Sequence, residues 1–155
     1  MQLPVAVRRL AFRFAYRVLR VVWFLTRPSK SGVKCLLTDG DLVLLVRHTY
    51  GHRVWDLPGG SIKRNEPPLS AARREMSEEL GIVDADWVAV GEIHGTLDSR
   101  LDTLHCYRAE LSKPTIKIDP GELAAASWFR RGELPQDVGP YVARIMARAL
   151  GSEAH

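Results

Sequence analysis

Acidic residues are missing from the first 34 positions of this 155-residue chain. The same stretch contains six arginines and two lysines and so carries a charge of +8, whereas the remaining 14 basic and 18 acidic residues leave −4 for the rest of the chain. The sequence pI near 9.3 therefore describes the N-terminal segment. Nucleic acid is not expected as a partner, because the basic charge does not belong to the main part of the chain.

Cysteine is almost absent as well. Cys35 and Cys106 both lie in apolar runs typical of strands, and neither has a spacing to histidines that would suit a metal site. This excludes a disulfide-rich scaffold and a cysteine-based zinc site. We interpret both residues as buried thiols in a reducing compartment, which predicts a cytoplasmic protein.

The chain also lacks an uncharged apolar run long enough for a transmembrane helix, because Arg13, Arg17 and Arg20 interrupt the N-terminal candidate, and no small-residue cleavage site of a signal peptide follows. At helical spacing this segment instead forms two faces. One is basic (Arg9, Arg13, Arg17, Arg20, Arg27) and the other apolar (Leu10, Phe14, Val18, Val21, Val22, Leu25). We therefore predict a basic amphipathic helix over residues 1–30. It would lie on an anionic membrane surface as a peripheral contact, pack on the domain, or pair in a homodimer.

Strand-like runs separated by turn residues follow from residue 33. The first two flank Asp39-Gly40-Asp41, in which Asp-Gly is a strong signal for a hairpin turn. The predicted strands are Val33 to Thr38, Leu42 to Arg47, Val54 to Leu57, Trp87 to Ile93, Thr103 to Leu111 and Ala125 to Arg130. Apolar residues at helical spacing predict a final helix over Pro140 to Leu150. The pattern indicates one α/β domain, residues 31–155, with a mixed sheet between helices.

The most informative stretch runs from Gly60 to Ile82. Its spacing is Gly60, five residues, Glu66, seven residues, Arg74-Glu75-Met76, one residue, Glu78-Glu79, one residue, Gly81-Ile82. Strong helix formers followed by Gly81 predict a helix from about residue 68 to residue 80. Its face bearing Glu75, Glu78 and Glu79 would be acidic, and clustered carboxylates repel unless a cation lies between them. Oxygen ligands of this kind suit Mg²⁺ or Mn²⁺. A solvated acidic face is the alternative for the three glutamates taken alone.

This frame resembles the Nudix box, and the chain is similar to the Nudix hydrolases over more than the box, since Ala126 to Pro135 resembles a strand and turn found near the family's C-terminus. The resemblance implies an α/β/α sandwich and cleavage of a diphosphate linked to a further group, with Mg²⁺ or Mn²⁺. It implies that Glu75, Glu78, Glu79 and the carbonyl of Gly60 bind metal. It also implies that Glu66 and Arg74 orient these ligands.

The general base is left open among Glu75, Glu79 and Glu122, since in some relatives this residue comes from a loop after the box and Glu122 stands in such a loop. An acid at a turn is the alternative for Glu122. Arg47, His52 and Arg53 are candidates for binding the substrate, because they precede the loop that enters the box. The alternative is that they are ordinary surface residues with no role in binding. Leu97 and Asp98 stand where a proline or tyrosine would mark some substrate branches of the family.

The favoured function is a metal-dependent pyrophosphohydrolase. It would act on a nucleoside diphosphate linked to another moiety, or on a nucleoside triphosphate. One alternative is a catalytically silent Nudix-like module that binds a nucleotide, although no glutamate of the box is lost. The other is an enzyme that processes prenyl or lipid diphosphates, for which Cys35 and Cys106 lack a recognisable context.

Overall fold

A computed structural model describes residues 4–26, 30–49, 53–97 and 100–151. In chain order its elements are α1 (Val5–Thr26), β1 (Lys30–Asp39), β2 (Leu42–His48), β3 (Gly59–Ser61), α2 (Pro68–Leu80), β4 (Val88–Leu97), β5 (Arg100–Glu110), β6 (Leu123–Arg130) and α3 (Val142–Gly151).

The strands form one mixed sheet in the order β4-β5-β1-β2-β6, with β3 paired to β1. β1 runs parallel to β5, from Lys30 opposite Asp102 to Thr38 opposite Glu110, and the other pairings are antiparallel. β1 and β2 are joined by the predicted hairpin turn at Gly40, whose φ of 59° favours glycine. The mixed sheet predicted from the sequence is confirmed.

Each face of the sheet is covered by one helix. On β1, Val33, Cys35 and Leu37 belong to the core cluster that contains α2, whereas Leu36 belongs to the cluster that contains α3. This alternation follows from the two-residue period of a strand. The fold is therefore an α/β/α sandwich, as expected. Cys35 and Cys106 are free and buried, and burial raises the pKa of the Cys106 thiol to about 11.

The strand predicted over Val54 to Leu57 does not form. Trp55 pairs with Val138 and Asp56 with Val46, each through an isolated bridge, so this segment links two different parts of the chain instead of joining one ladder. The sequence prediction also missed β3, because two of its three residues are glycines, which are depleted in strands. Backbone pairing to β1 holds β3 in place.

The helix α2 matches its predicted limits. Pro68 occupies the first turn, where its missing N–H costs no hydrogen bond. Gly81 ends the helix with φ of 68°. Its N–H donates to the carbonyl of Ser77, and the N–H of Ile82 donates to the carbonyl of Met76. Pro68 and Gly81 set the limits of α2, and its buried Ala72, Met76 and Leu80 pack into the core on this side of the sheet.

The N-terminal helix forms as expected and spans Val5–Thr26. Within the described residues, no helix combines the length and the apolar character needed to cross a membrane. The division of the chain near residue 30 remains a prediction.

Candidate metal centre

β3 brings the backbone close to α2 at Gly60. A Cβ at this position would lie 2.5 Å from Oε1 of Glu75, and a Cβ on Gly59 would collide with the Val33 carbonyl. Only glycine therefore lets the strand lie against both β1 and the Glu75 carboxylate.

Three carboxylates meet beside this strand. Glu75 and Glu79 lie one turn apart on α2, and Glu122 precedes β6. Each offers an oxygen within 4.8 Å of the others. All three residues are buried, with 1%, 2% and 6% of their surfaces exposed. The loop that carries Glu122 is tied to α2, because the N–H of Asp119 donates to the carbonyl of Glu79 at 3.0 Å. Backbone bonds thus hold Glu122 near the helix.

The three carboxylates disfavour one another's ionisation, so a nearby positive charge would stabilise their ionised forms. Burial raises the pKa of Glu79 well above its ordinary value, and the nearby charges of Glu75 and Glu122 raise it further. Burial also raises the pKa of Glu75 and of Glu122, although nearby arginines oppose the rise. In each residue Oε2 is buried and accepts no hydrogen bond from the part of the chain that the structure describes. Such orphaned, buried oxygens on converging carboxylates fit a divalent cation that prefers oxygen ligands.

Glu78, predicted as a ligand, lies outside this cluster. Its side chain is 39% exposed and stands 3.5 Å from Arg74 and 3.6 Å from Arg20. The reason is helical geometry, since Glu75 and Glu79 share a face at i, i+4 and Glu78 lies at the edge of that face. The third carboxylate of the cluster belongs to Glu122.

Arg74 connects the cluster to the loop before α2. Its guanidinium donates two hydrogen bonds of 2.9 Å to Glu66, one of 3.0 Å to the Ser61 carbonyl and one of 2.8 Å to Oε1 of Glu75. The bond from Arg74 and the backbone N–H of Lys63 lower the pKa of Glu66 to about 2. Arg74 therefore restrains one oxygen of Glu75 and leaves the other facing the cluster.

Two positively charged side chains near the cluster, Arg20 and Lys34, were not identified from the sequence as site residues. Arg20 on α1 contacts Oε1 of Glu122 and lies 3.4 Å from Oε1 of Glu75. Lys34 on β1 pairs with Asp56 at 2.7 Å, and its charge lowers the pKa of Glu79. The periodicity of α1 placed Arg20 on the basic face, but no local signal shows which acids that face would meet.

Neither Arg47 nor Arg53, the two predicted substrate residues that the structure describes, forms an ion pair with the cluster. Arg47 pairs with Asp137 at 2.7 Å and lies over the ring of Trp55 at 4.7 Å. Arg53 is exposed. His52 lies outside the described residues, so its role stays a prediction.

The NUDIX domain model matches residues 28–149 of the chain. An ADP-ribose pyrophosphatase of Mycobacterium tuberculosis is 45% identical over 102 residues, which are 63% of this chain and 49% of that protein. An RNA pyrophosphohydrolase of Saccharophagus degradans is 40% identical over 73 residues, 46% of this chain and 43% of that protein. The chain thus spans less than half the length of either relative.

Two solved structures share the fold. A MutT NUDIX hydrolase from Burkholderia pseudomallei superposes with a TM-score of 0.72 at 21% identity, over 79% of this chain and 98% of that one. The NUDIX domain of Shewanella oneidensis NrtR, solved with ADP ribose, gives 0.71 at 17% identity, over 84% and 92%. The family model covers both the sheet and the helix that carries the buried glutamates, and the chain therefore belongs to the Nudix family.

Proposed function

We propose that this protein is a Mg²⁺- or Mn²⁺-dependent pyrophosphohydrolase. Its substrate would be a nucleoside diphosphate linked to another moiety, or a nucleoside triphosphate. The observation that carries the proposal is the convergence of Glu75, Glu79 and Glu122, each with a buried oxygen that accepts no hydrogen bond from the described residues. Three buried carboxylates with raised pKa values at one point favour an active site over a silent binding module, because perturbed pKa values cluster at functional sites.

The chain's own residues would do three things in this reaction. Glu75, Glu79 and Glu122 would hold the cation, with Gly60 leaving room for Glu75. Arg74, restrained by Glu66, would keep the Glu75 carboxylate in one orientation. When bound, a divalent cation supplies neutralisation of phosphoryl charge and activation of water.

Proton transfer would fall to one of the same glutamates. The carboxylate must be ionised to accept this proton, and a divalent cation bound beside the three glutamates would lower their pKa values and so favour the ionised form. Glu79 is 2% exposed on α2, and Glu122 is 6% exposed on the loop before β6. Both, with Glu75, remain candidates for the general base.

The substrate is proposed only as a class. One relative is named an ADP-ribose pyrophosphatase and one structural neighbour was solved with ADP ribose, which makes ADP-ribose the first compound to test. Another relative is named an RNA pyrophosphohydrolase, so an oligoribonucleotide with a 5′-triphosphate belongs in the same panel. Nucleotide sugars, nucleoside triphosphates, dinucleoside polyphosphates and prenyl diphosphates complete it.

The test measures release of phosphate and nucleotide from this panel with Mg²⁺ or Mn²⁺. We expect turnover of one class that Glu79→Gln lowers about 100-fold or more, as loss of a residue acting on the reacting proton or the cation does. Glu133→Gln is the matched control, because Glu133 is exposed and outside the cluster. Turnover at the wild-type rate in a folded Glu79→Gln variant would refute the proposed site.

A further inference from the structure

The helix α1 turns much of its apolar surface to solvent. Phe14 and Val18, one turn apart, are 68% and 45% exposed, and Leu10, Phe12 and Leu19 are between 67% and 76% exposed. A folded soluble protein does not ordinarily leave so many large apolar side chains of one helix uncovered.

Arg17 and Arg20 connect α1 to the domain. Arg17 lies 3.7 Å from Asp119 and packs against Gly121, and Arg20 contacts Glu122. Both arginines are only partly exposed. The basic face of the helix therefore lies on the acidic part of the domain, whereas Phe14 and Val18 remain exposed to solvent.

More basic charge lies nearer the helix start. Arg8, Arg9 and Arg13 are exposed, and residues 1–34 contain no acid. An exposed apolar face bordered by uncompensated arginines is complementary to a surface that offers acyl chains and phosphate groups together.

We propose that α1 docks this protein onto an anionic lipid bilayer, with its apolar face in the bilayer and the domain carried on its arginine face. The helix can bind in the position that it has in this structure, because the domain does not cover the side that would enter the lipid. The proposal is independent of the reaction catalysed, since it uses none of the carboxylates as lipid ligands.

A second copy of the chain fits this surface less well. A second copy would add like charge near the exposed Arg8, Arg9 and Arg13, and the helix has no acid to pair with them. Like charges of this kind oppose association, whereas an anionic bilayer removes the repulsion.

The experiment is sedimentation of the full chain with vesicles, either of phosphatidylcholine alone or of phosphatidylcholine and phosphatidylglycerol in equal parts. We expect binding to the mixed vesicles, weak binding to phosphatidylcholine, and loss of binding at high salt. Phe14→Gln combined with Val18→Gln should weaken partitioning about tenfold or more, because two apolar side chains no longer enter the bilayer. Glutamine keeps the helix propensity high, so circular dichroism should be unchanged.

Two variants complete the design. Arg9→Gln combined with Arg13→Gln should weaken binding to the mixed vesicles and leave the small phosphatidylcholine signal unchanged. Val83→Gln is the matched control, because Val83 is 74% exposed but lies outside α1, and it should bind like wild type.

Three results would overturn the proposal. The first is a wild-type protein that does not sediment with anionic vesicles. The second is undiminished binding by the Phe14/Val18 variant with its helix intact. The third is a wild-type dimer in light scattering that becomes monomeric in this variant without any vesicle binding, which would make a second copy the occupant of the surface.

Discussion

The guanidinium of Arg20 donates a hydrogen bond to the carboxylate of Glu122, which lies 102 residues further along the chain. Arg20 also approaches Glu75 and Glu78. The N-terminal helix thereby places a fixed positive charge beside the carboxylates that we propose as ligands. A divalent cation and this guanidinium are attracted to the same negative charge and repel each other.

Arg20→Gln should therefore strengthen the binding of Mn²⁺, roughly three- to tenfold at low ionic strength, because one neighbouring positive charge is removed. Electron paramagnetic resonance titration of free Mn²⁺ measures the effect without turnover. Arg13→Gln, on an exposed part of the same helix, serves as the control and should bind like wild type. Weaker binding in the Arg20 variant would mean that the arginine chiefly orients Glu122.

Glu122 and Glu78 should differ in their importance for the cation. Glu122→Gln should weaken Mn²⁺ binding about tenfold or more, at least the loss seen when a residue that supports a ligand is changed. Glu78→Gln should have a smaller effect, because Glu78 is 39% exposed and lies outside the cluster. The same titration ranks the two variants. A larger loss of Mn²⁺ binding in Glu78→Gln than in Glu122→Gln would instead support Glu78 as a ligand, as the resemblance to the Nudix box implies.

Gly60→Ala should disturb Glu75 without unfolding the domain. The added Cβ would meet the Glu75 carboxylate, which Arg74 holds in place, so the carboxylate must move and Mn²⁺ binding should fall about tenfold. Gly132→Ala is the matched control, because a Cβ there meets nothing within 4 Å. Equal Mn²⁺ affinity of the two variants would show that the cation does not depend on the position of Glu75.

The pair formed by Glu66 and Arg74 predicts a pH dependence of stability. The pKa of Glu66 is lowered from 4.5 to about 2 in the folded protein, chiefly by its hydrogen bond from Arg74. Its contribution to the free energy of unfolding is therefore present above pH 4.5 and is lost as the pH falls towards 2.

Glu66→Gln should accordingly lower the free energy of unfolding at neutral pH. The difference in this free energy between the variant and wild type should become smaller below pH 4.5, the ordinary pKa of Glu66. Thermal melts in a chelator from neutral to acid pH measure this difference. The exposed Glu133→Gln variant corrects for the change in net charge. A difference that stays constant over the whole range would mean that Glu66 acts through packing alone.

Sequence patterns predicted the elements whose signals are local. Gly81 marked the end of α2, and Asp39-Gly40 marked the first hairpin, because left-handed backbone angles require such residues. Glu66 and Arg74 were expected to act together from the spacing of the Nudix box, and the structure joins them by two hydrogen bonds; their support of a metal remains a proposal.

What the sequence could not show depends on contacts between distant segments. From the sequence, Glu122 could be named only as one of three candidates for the general base. Its place beside Glu75 and Glu79 depends on how its loop packs against α2, which is far from it in the chain. The contact of Arg20 with the cluster could not be predicted either, because it depends on where α1 packs on the domain. Trp55 and Asp56 have strand-like neighbours, yet they bond to two separate segments, and no periodicity reports such a choice.

The parallel pairing of β1 with β5 has a consequence for how the chain folds. The first strand of the sheet finds this partner only in Arg100–Glu110, so a long loop must close before the centre of the sheet is complete. Glu122 lies later still in the chain. The acidic cluster thus depends on contacts between distant segments: the local structure of α2 brings Glu75 and Glu79 together, whereas Glu122 joins them only when the chain after β5 packs on α2.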